Sequence, residues 1–107
     1  MDIPEIDVHE LERCCTGGAP VIDVREYHEY VEAHVPGAVL IPLANLPDRV
    51  DELPTDRSVL VICASGGRSR RAAEFLRRQG VDAINVIGGT IAWVEAGKTT
   101  VVGPEPG

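Results

Sequence analysis

Short apolar runs alternate with amphipathic segments along the chain. Four runs are rich in β-branched residues and almost unbroken by polar ones: residues 21–24, 38–41, 59–62 and 84–87. Strands that are covered on both faces have this pattern. A further short strand is expected at a sheet edge, over residues 3–6. The pattern predicts an α/β fold of three layers, with a central parallel sheet of about five strands and helices on both faces.

The segments between the apolar runs carry helix signals. Helices are expected over residues 7–15, 26–33, 43–53, 69–79 and 90–96. Asp7 and Glu10 have the spacing of a capping box at the start of the first helix, and Pro47 interrupts the third. The helix over 69–79 has apolar residues on one side and arginines on the other. Residues 98–107 are rich in glycine and proline, so we expect this tail to fray.

Composition limits the size and class of the protein. The 107 residues, of which 44% are apolar, suffice for one core, so we expect a single domain over 1–107 with its core at 5–97. The net charge of −7 opposes binding to nucleic acid and to anionic membranes. No apolar run approaches the ~20 residues of a membrane span, and the acidic N-terminus lacks signal-peptide features. A cytoplasmic location is therefore expected.

The cysteines narrow the candidate chemistry. Their number is three, which does not make a disulfide framework, and no histidine lies at zinc-finger spacing from them. We therefore expect neither a metal nor a cofactor. Cys14 and Cys15 are adjacent in the first predicted helix, whereas Cys63 stands alone, directly after the third apolar run. Because ligands of parallel α/β sheets bind beyond the carboxyl ends of strands, Cys63 is where chemistry is expected.

The loop after the third apolar run combines a thiol with features that favour its ionisation. It reads Cys63-Ala64-Ser65-Gly66-Gly67-Arg68-Ser69 and leads into a predicted helix. A free thiol has a pKa of ~8.5 and reacts as the thiolate. Unpaired N–H groups at the helix start, a glycine turn that directs further N–H groups inward, and the charge of Arg68 favour the thiolate. We expect a lowered pKa for Cys63, the alternative being a buried structural thiol.

Three further stretches stand in order along the chain. They are Asp23-Val24-Arg25-Glu26, Ala33-His34-Val35-Pro36-Gly37-Ala38, and Gly88-Gly89 followed by Trp93 and Gly97. Together with the loop, they resemble the motifs of the rhodanese family over residues 5–97. The sequence departs from the family at Ala33, where a glycine is common. Each motif alone is weak evidence for this resemblance, whereas four motifs in the same order are specific evidence.

This resemblance implies a single-domain sulfurtransferase. Cys63 would attack the outer sulfur of a small anionic donor such as thiosulfate, hold the sulfur as a persulfide, and pass it to cyanide, a thiol or a protein. Loop N–H groups would stabilise the persulfide and Arg68 would orient the donor. The expected substrate-binding residues are Ala64, Ser65, Gly66, Gly67, Arg68 and Ser69. Four more residues are candidates for supporting roles, and for these a structural role is favoured over a catalytic one: Asp23, Arg25, His34 and Trp93.

Two alternatives stay open. Cysteine-based phosphatases and arsenate reductases that resemble this fold hold five residues between Cys and Arg, whereas four lie between Cys63 and Arg68. The smaller ring favours sulfur over phosphate, and the loop has no general acid for a leaving oxygen. The other alternative is a sulfur-binding or regulatory module that docks on a protein and turns over poorly. Its docking surface would comprise Arg70, Arg71, Arg77 and Arg78. The other interpretation of these arginines is that they form only the solvated side of a helix.

Overall fold

A computed structural model describes residues 2–107, which hold a five-stranded sheet in the order β1-β5-β4-β2-β3. The strands are β1 Glu5–Ile6, β2 Val21–Asp23, β3 Val39–Leu40, β4 Val59–Ile62 and β5 Ala83–Val86. Every neighbouring pair is parallel. Each strand lies at one of the predicted apolar runs, so the predicted α/β fold is confirmed.

The two faces of the sheet bury separate apolar cores. In β4, Val59 and Val61 belong to one core and Leu60 and Ile62 to the other, because successive side chains of a strand point to opposite faces. Within residues 2–107, four α-helices cover these faces: α1 Val8–Thr16, α2 Tyr27–Glu32, α3 Gly67–Arg78 and α4 Gly89–Glu95. Helix α3 packs on the first core, and α1, α2 and α4 pack on the second. None of these helices is long and apolar enough to cross a membrane.

The segment before β4 departs from the predicted elements. Residues 43–53, predicted as a helix that Pro47 interrupts, form two 3-10 helices, Leu43–Asp48 and Val50–Glu52. Pro47 lies inside the first of them and has no N–H for an α-helical hydrogen bond. The tighter hydrogen-bonding pattern of the 3-10 helix therefore replaces the α-helix here.

The C-terminal tail lies against the loop after α2, where fraying was expected. Val101 forms an antiparallel bridge with His34, with both N–H···O distances at 2.9 Å. The Gly37 N–H donates to the carbonyl of Pro106 at 2.8 Å. The loop after α2 has backbone groups that need partners, and the tail supplies them. Glycine and proline content alone does not indicate these contacts.

Candidate active site

Cys63 lies where the central strand β4 ends and the chain turns toward α3. The turn uses Gly66, whose φ of 109° lies in the left-handed region that favours glycine. It brings two donors to the sulfur. The Gly66 N–H donates to Sγ at 3.1 Å, and the Ser69 hydroxyl lies 3.3 Å from Sγ. The Cys63 residue is 1% exposed, so these donors act in a largely water-free setting.

Two opposing effects set the pKa of Cys63. Burial raises the pKa, because the thiolate loses its hydration. Hydrogen bonds from the Ser69 hydroxyl and from the backbone N–H groups of Ser69, Gly66 and Ser65 favour the thiolate and outweigh burial. The pKa of Cys63 therefore lies below its ordinary value, as the sequence predicted.

The start of α4 holds the loop carbonyls away from the sulfur. The N–H of Thr90 donates to the Cys63 carbonyl at 2.9 Å, and the N–H of Ile91 donates to the Ala64 carbonyl at 3.0 Å. In a planar trans peptide the C=O and the following N–H point in opposite directions. Fixing the Ala64 carbonyl toward α4 therefore turns the Ser65 N–H toward the sulfur. A Cβ on Gly89 would lie 2.5 Å from the Ala64 oxygen, so the close approach requires glycine.

A buried polar chain continues from Ser69 to the sheet edge. The Ser69 hydroxyl lies 2.5 Å from Oδ1 of Asn85 in β5. The Asn85 side-chain amide donates to Glu5 of β1 at 2.8 Å, which fixes the amide orientation. Arg70 pairs with the same Glu5 carboxylate at 3.1 Å. Because Ser69 has one hydroxyl proton, Asn85 and the thiolate of Cys63 compete for it.

Arg68 is engaged by a partner that the sequence reasoning missed. Its guanidinium makes two parallel bonds of 2.8 Å to the carboxylate of Glu29 on α2. The hydrogen bond from Arg68 lowers the pKa of Glu29 to about 2, so the carboxylate is ionised at neutral pH. The pair compensates the charge of Arg68, which was expected to favour the thiolate and to orient the donor. The sequence predicted that Glu29 lies in a helix, but no sequence signal linked this residue to the Cys63 loop.

Asp23 and Arg25 form a buried ion pair at the end of β2. The guanidinium of Arg25 donates to Asp23 Oδ2 at 2.9 Å and to the Ala33 carbonyl at 2.8 Å. The Arg25 N–H also donates to Asp23 Oδ1 at 3.1 Å. These bonds tie the end of β2 to the end of α2. The buried carboxylate of Asp23 thus has an arginine as its charged partner.

His34 and Trp93 hold the tail. The ring of His34 is fully buried, stacks on Tyr30 with centroids 3.6 Å apart, and places Nε2 2.9 Å from the Glu105 carbonyl. The indole N–H of Trp93 donates to the carbonyl of Thr99 at 2.8 Å. Both side chains make contacts of a structural kind, and neither hydrogen-bonds to the Cys63 loop.

A groove opens beside the loop at Ala64, between α2 and α4. Its volume is about 420 Å³, within the size range of small-ligand sites. The residues that line it are Arg25, Glu29, Glu32, Ala33, Ala64, Thr90, Ile91, Val94 and Glu95. Ala64 places this groove next to the Cys63 loop. The sequence did not predict the groove, because its walls come from segments distant in sequence.

The basic face of α3 is largely ion-paired. Arg70 contacts Glu5 and Glu74, while Arg77 contacts Asp82 at 2.6 Å. Arg78 lies 3.8 Å from the Glu74 carboxylate. These pairs reduce the positive charge that this face offers to a partner and favour the solvated-helix interpretation.

The sequence and the fold both match known proteins. A family model described as a rhodanese-like domain matches residues 7–96. A protein named sulfurtransferase from Allochromatium vinosum is 35% identical over 106 residues, which cover 96% of this chain and 98% of that protein. YrkF of Bacillus subtilis, which bears the name of a sulfur carrier protein, is 39% identical over 100 residues, with 91% of this chain and 53% of YrkF covered. The chain thus spans about half the length of YrkF. The solved structure of a rhodanese-related protein from Thermoplasma volcanium has a TM-score of 0.87 at 32% identity, over 92% of this chain and 98% of that one.

Proposed function

Because the chain belongs to the rhodanese-like domain family, we propose that it is a sulfurtransferase whose Cys63 carries sulfane sulfur as a persulfide. The relative from Allochromatium vinosum, matched over nearly its whole length, bears the name sulfurtransferase. The observation that carries the role of Cys63 is its position at the end of β4, with the Gly66 N–H 3.1 Å from Sγ. This arrangement stabilises negative charge on sulfur before and after transfer.

The reaction proceeds in two displacements. The Cys63 thiolate attacks the outer sulfur of thiosulfate, the donor S–S bond breaks, and sulfite leaves with the bonding electron pair. Cyanide or a thiolate then attacks the outer sulfur of the persulfide, and the Cys63 thiolate leaves. Sulfite departs as a stable anion, so the step needs no acid to protonate the leaving group.

The loop favours this chemistry over phosphate transfer. Four residues separate Cys63 from Arg68, where the phosphatases of similar fold have five. The carboxylate of Glu29, which lines the groove beside the loop, is ion-paired with Arg68. An ion-paired carboxylate is a poor general acid at neutral pH, because the charged partner favours its ionised form.

A slow sulfur carrier is the second candidate function. The observation that favours it is that both arginines beside the loop are ion-paired, which weakens binding of a small dianion such as thiosulfate. The similarity to YrkF, named as a sulfur carrier protein, supports it as well. Such a protein would form the persulfide and pass its outer sulfur to a specific acceptor.

Steady-state kinetics with thiosulfate and cyanide test the proposal. Transfer through a covalent intermediate predicts parallel double-reciprocal lines, and Cys63→Ser should abolish thiocyanate formation. The double variant with Cys14→Ser and Cys15→Ser is the matched control and should retain activity. Turnover in the Cys63→Ser protein would contradict the proposal. Hydrolysis of p-nitrophenyl phosphate that depends on Cys63 would favour the phosphatase alternative.

A further inference from the structure

The groove between α2 and α4 has an apolar side. Ile91 and Val94 of α4 line it and are 52% and 50% exposed, although both are large aliphatic side chains. Ala33, at the end of α2, faces the same groove. Apolar surface that is exposed in a concave site next to a reactive loop is typical of a binding site.

The rim of the same groove is acidic. Its charged lining residues are one arginine and three glutamates, and Arg25 and Glu29 are compensated by Asp23 and Arg68. Glu32 and Glu95 are exposed, and neither has an ion-pair partner within the described chain. Two uncompensated carboxylates thus flank the apolar surface. They attract a cation and repel an anion that approaches Cys63.

We propose that this groove binds the sulfur acceptor, and that the acceptor is a cysteine-bearing protein segment with lysine or arginine and an apolar side chain near its thiol. This inference rests on the proposed persulfide of Cys63. Ile91 and Val94 contact the apolar side chain, while Glu32 and Glu95 contact the basic one. The acceptor thiolate attacks the outer persulfide sulfur, the S–S bond to Cys63 breaks, and Cys63 leaves as the thiolate.

The location of the groove agrees with this role. Ala64 lines it and is the residue that follows Cys63, so the groove adjoins the sulfur-bearing loop. Loading extends the reactive atom by one S–S bond, about 2 Å, beyond the buried Sγ. A volume of about 420 Å³ accommodates a few side chains of a peptide.

The charges argue against other occupants. A second copy of this chain carries a net charge of −7, and the arginines on its α3 helix are largely ion-paired. Like charges that face each other across an interface destabilise it, so docking of a second copy in this acidic groove is disfavoured. A small dianion meets the same repulsion from Glu32 and Glu95.

The test measures discharge of the preloaded Cys63 persulfide by two small thiols of opposite charge, cysteamine and 3-mercaptopropionate. Rates are followed by intact mass in single turnover, for wild type and for the double variant with Glu32→Gln and Glu95→Gln. Comparing the ratio of the two rates between proteins cancels the intrinsic reactivity of each thiol. We expect this ratio, cysteamine over 3-mercaptopropionate, to fall about fivefold or more in the variant, and to approach the variant's value in wild type at about 1 M salt. The double variant with Glu10→Gln and Asp56→Asn, two exposed residues outside the groove, is the equal-charge control and should leave the ratio unchanged.

Peptides test the apolar side. Two cysteine peptides of equal length, one with lysine and leucine beside the thiol and one with glutamate and leucine, replace the small thiols. We expect the lysine peptide to discharge the persulfide faster, and Ile91→Ser to slow that peptide while sparing cysteamine. An unchanged rate ratio in the double glutamine variant, or equal rates for both peptides, overturns the inference and leaves the persulfide function standing. Failure to load Cys63 with any sulfane donor overturns the proposed function itself.

Discussion

Replacing Ser69 with alanine removes one donor from the thiolate of Cys63 and leaves the backbone donors in place. The Ser69 hydroxyl lies 3.3 Å from Sγ and 2.5 Å from Asn85 Oδ1. Since the hydroxyl has one proton, it stabilises the thiolate only for the share of time that it is not bonded to Asn85. The substitution Ser69→Ala should therefore raise the pKa of Cys63.

The expected rise follows from the strength of the lost hydrogen bond. A hydrogen bond to a charged group contributes about 1.5–3 kcal/mol to stability. The competition with Asn85 and the long distance to sulfur place this one at the lower end. One pKa unit corresponds to 1.36 kcal/mol, so the pKa of Cys63 should rise by about one unit. The backbone donors, among them the N–H of Gly66, stay in place and continue to lower the pKa of Cys63.

The rate of iodoacetamide alkylation at Cys63, measured against pH by peptide mass spectrometry, reports this pKa. Ser65→Ala is the matched control, because Ser65 lies in the same loop with an exposed side chain and contributes through its backbone N–H. Ser69→Ala also leaves Asn85 Oδ1 without its donor, so the melting temperature is measured in parallel. An unchanged alkylation profile in a folded Ser69→Ala protein would refute the reasoning.

Three further changes test other contacts. Gly89→Ala places a Cβ 2.5 Å from a loop carbonyl oxygen at a φ of 58° and should cost about 2–4 kcal/mol in chemical denaturation, whereas Gly97→Ala, at a φ of 75° with no neighbour within 4 Å, should cost much less. Glu29→Gln should remove a pH-dependent contribution to stability. The Glu29 carboxyl has a lowered pKa in the folded protein, so it stabilises the fold above its unfolded pKa, and this stabilisation is lost as the pH falls from 4.5 toward about 2. The variant should therefore lose less stability than wild type over this pH range, and parallel acid-denaturation curves for both proteins would contradict this. Deleting residues 99–107 should lower the melting temperature, because it removes hydrogen bonds to the loop after α2, and an unchanged value would show that the tail is not held.

The sequence predicted those features that depend on neighbours along the chain. The run 59–62 reads as a strand covered on both faces, and it lies at the centre of the sheet. The loop from Cys63 joins a strand to a helix, so its position at the carboxyl edge followed from the parallel arrangement. The N–H groups of a helix start are unpaired in every helix, which is why a lowered pKa of Cys63 could be foreseen.

The features that escaped prediction depend on contacts between distant segments. Glu29 lies 39 residues from Arg68 and compensates its charge. Asn85 shares the Ser69 proton, although it reads as one polar residue in an apolar strand. The tail is held by carbonyls and N–H groups, which every sequence possesses, so composition could not distinguish docking from fraying.

The central claim is that Cys63 alone receives the transferred sulfur. Intact-mass analysis after treatment with thiosulfate, followed by peptide mapping, measures this directly, because all three cysteines are free thiols. We expect wild type to gain the mass of one sulfur atom on the peptide that contains Cys63, and Cys63→Ser to gain none. A sulfur adduct on Cys14 or Cys15 in the Cys63→Ser protein, or no adduct on wild type with any sulfane donor, would contradict the account.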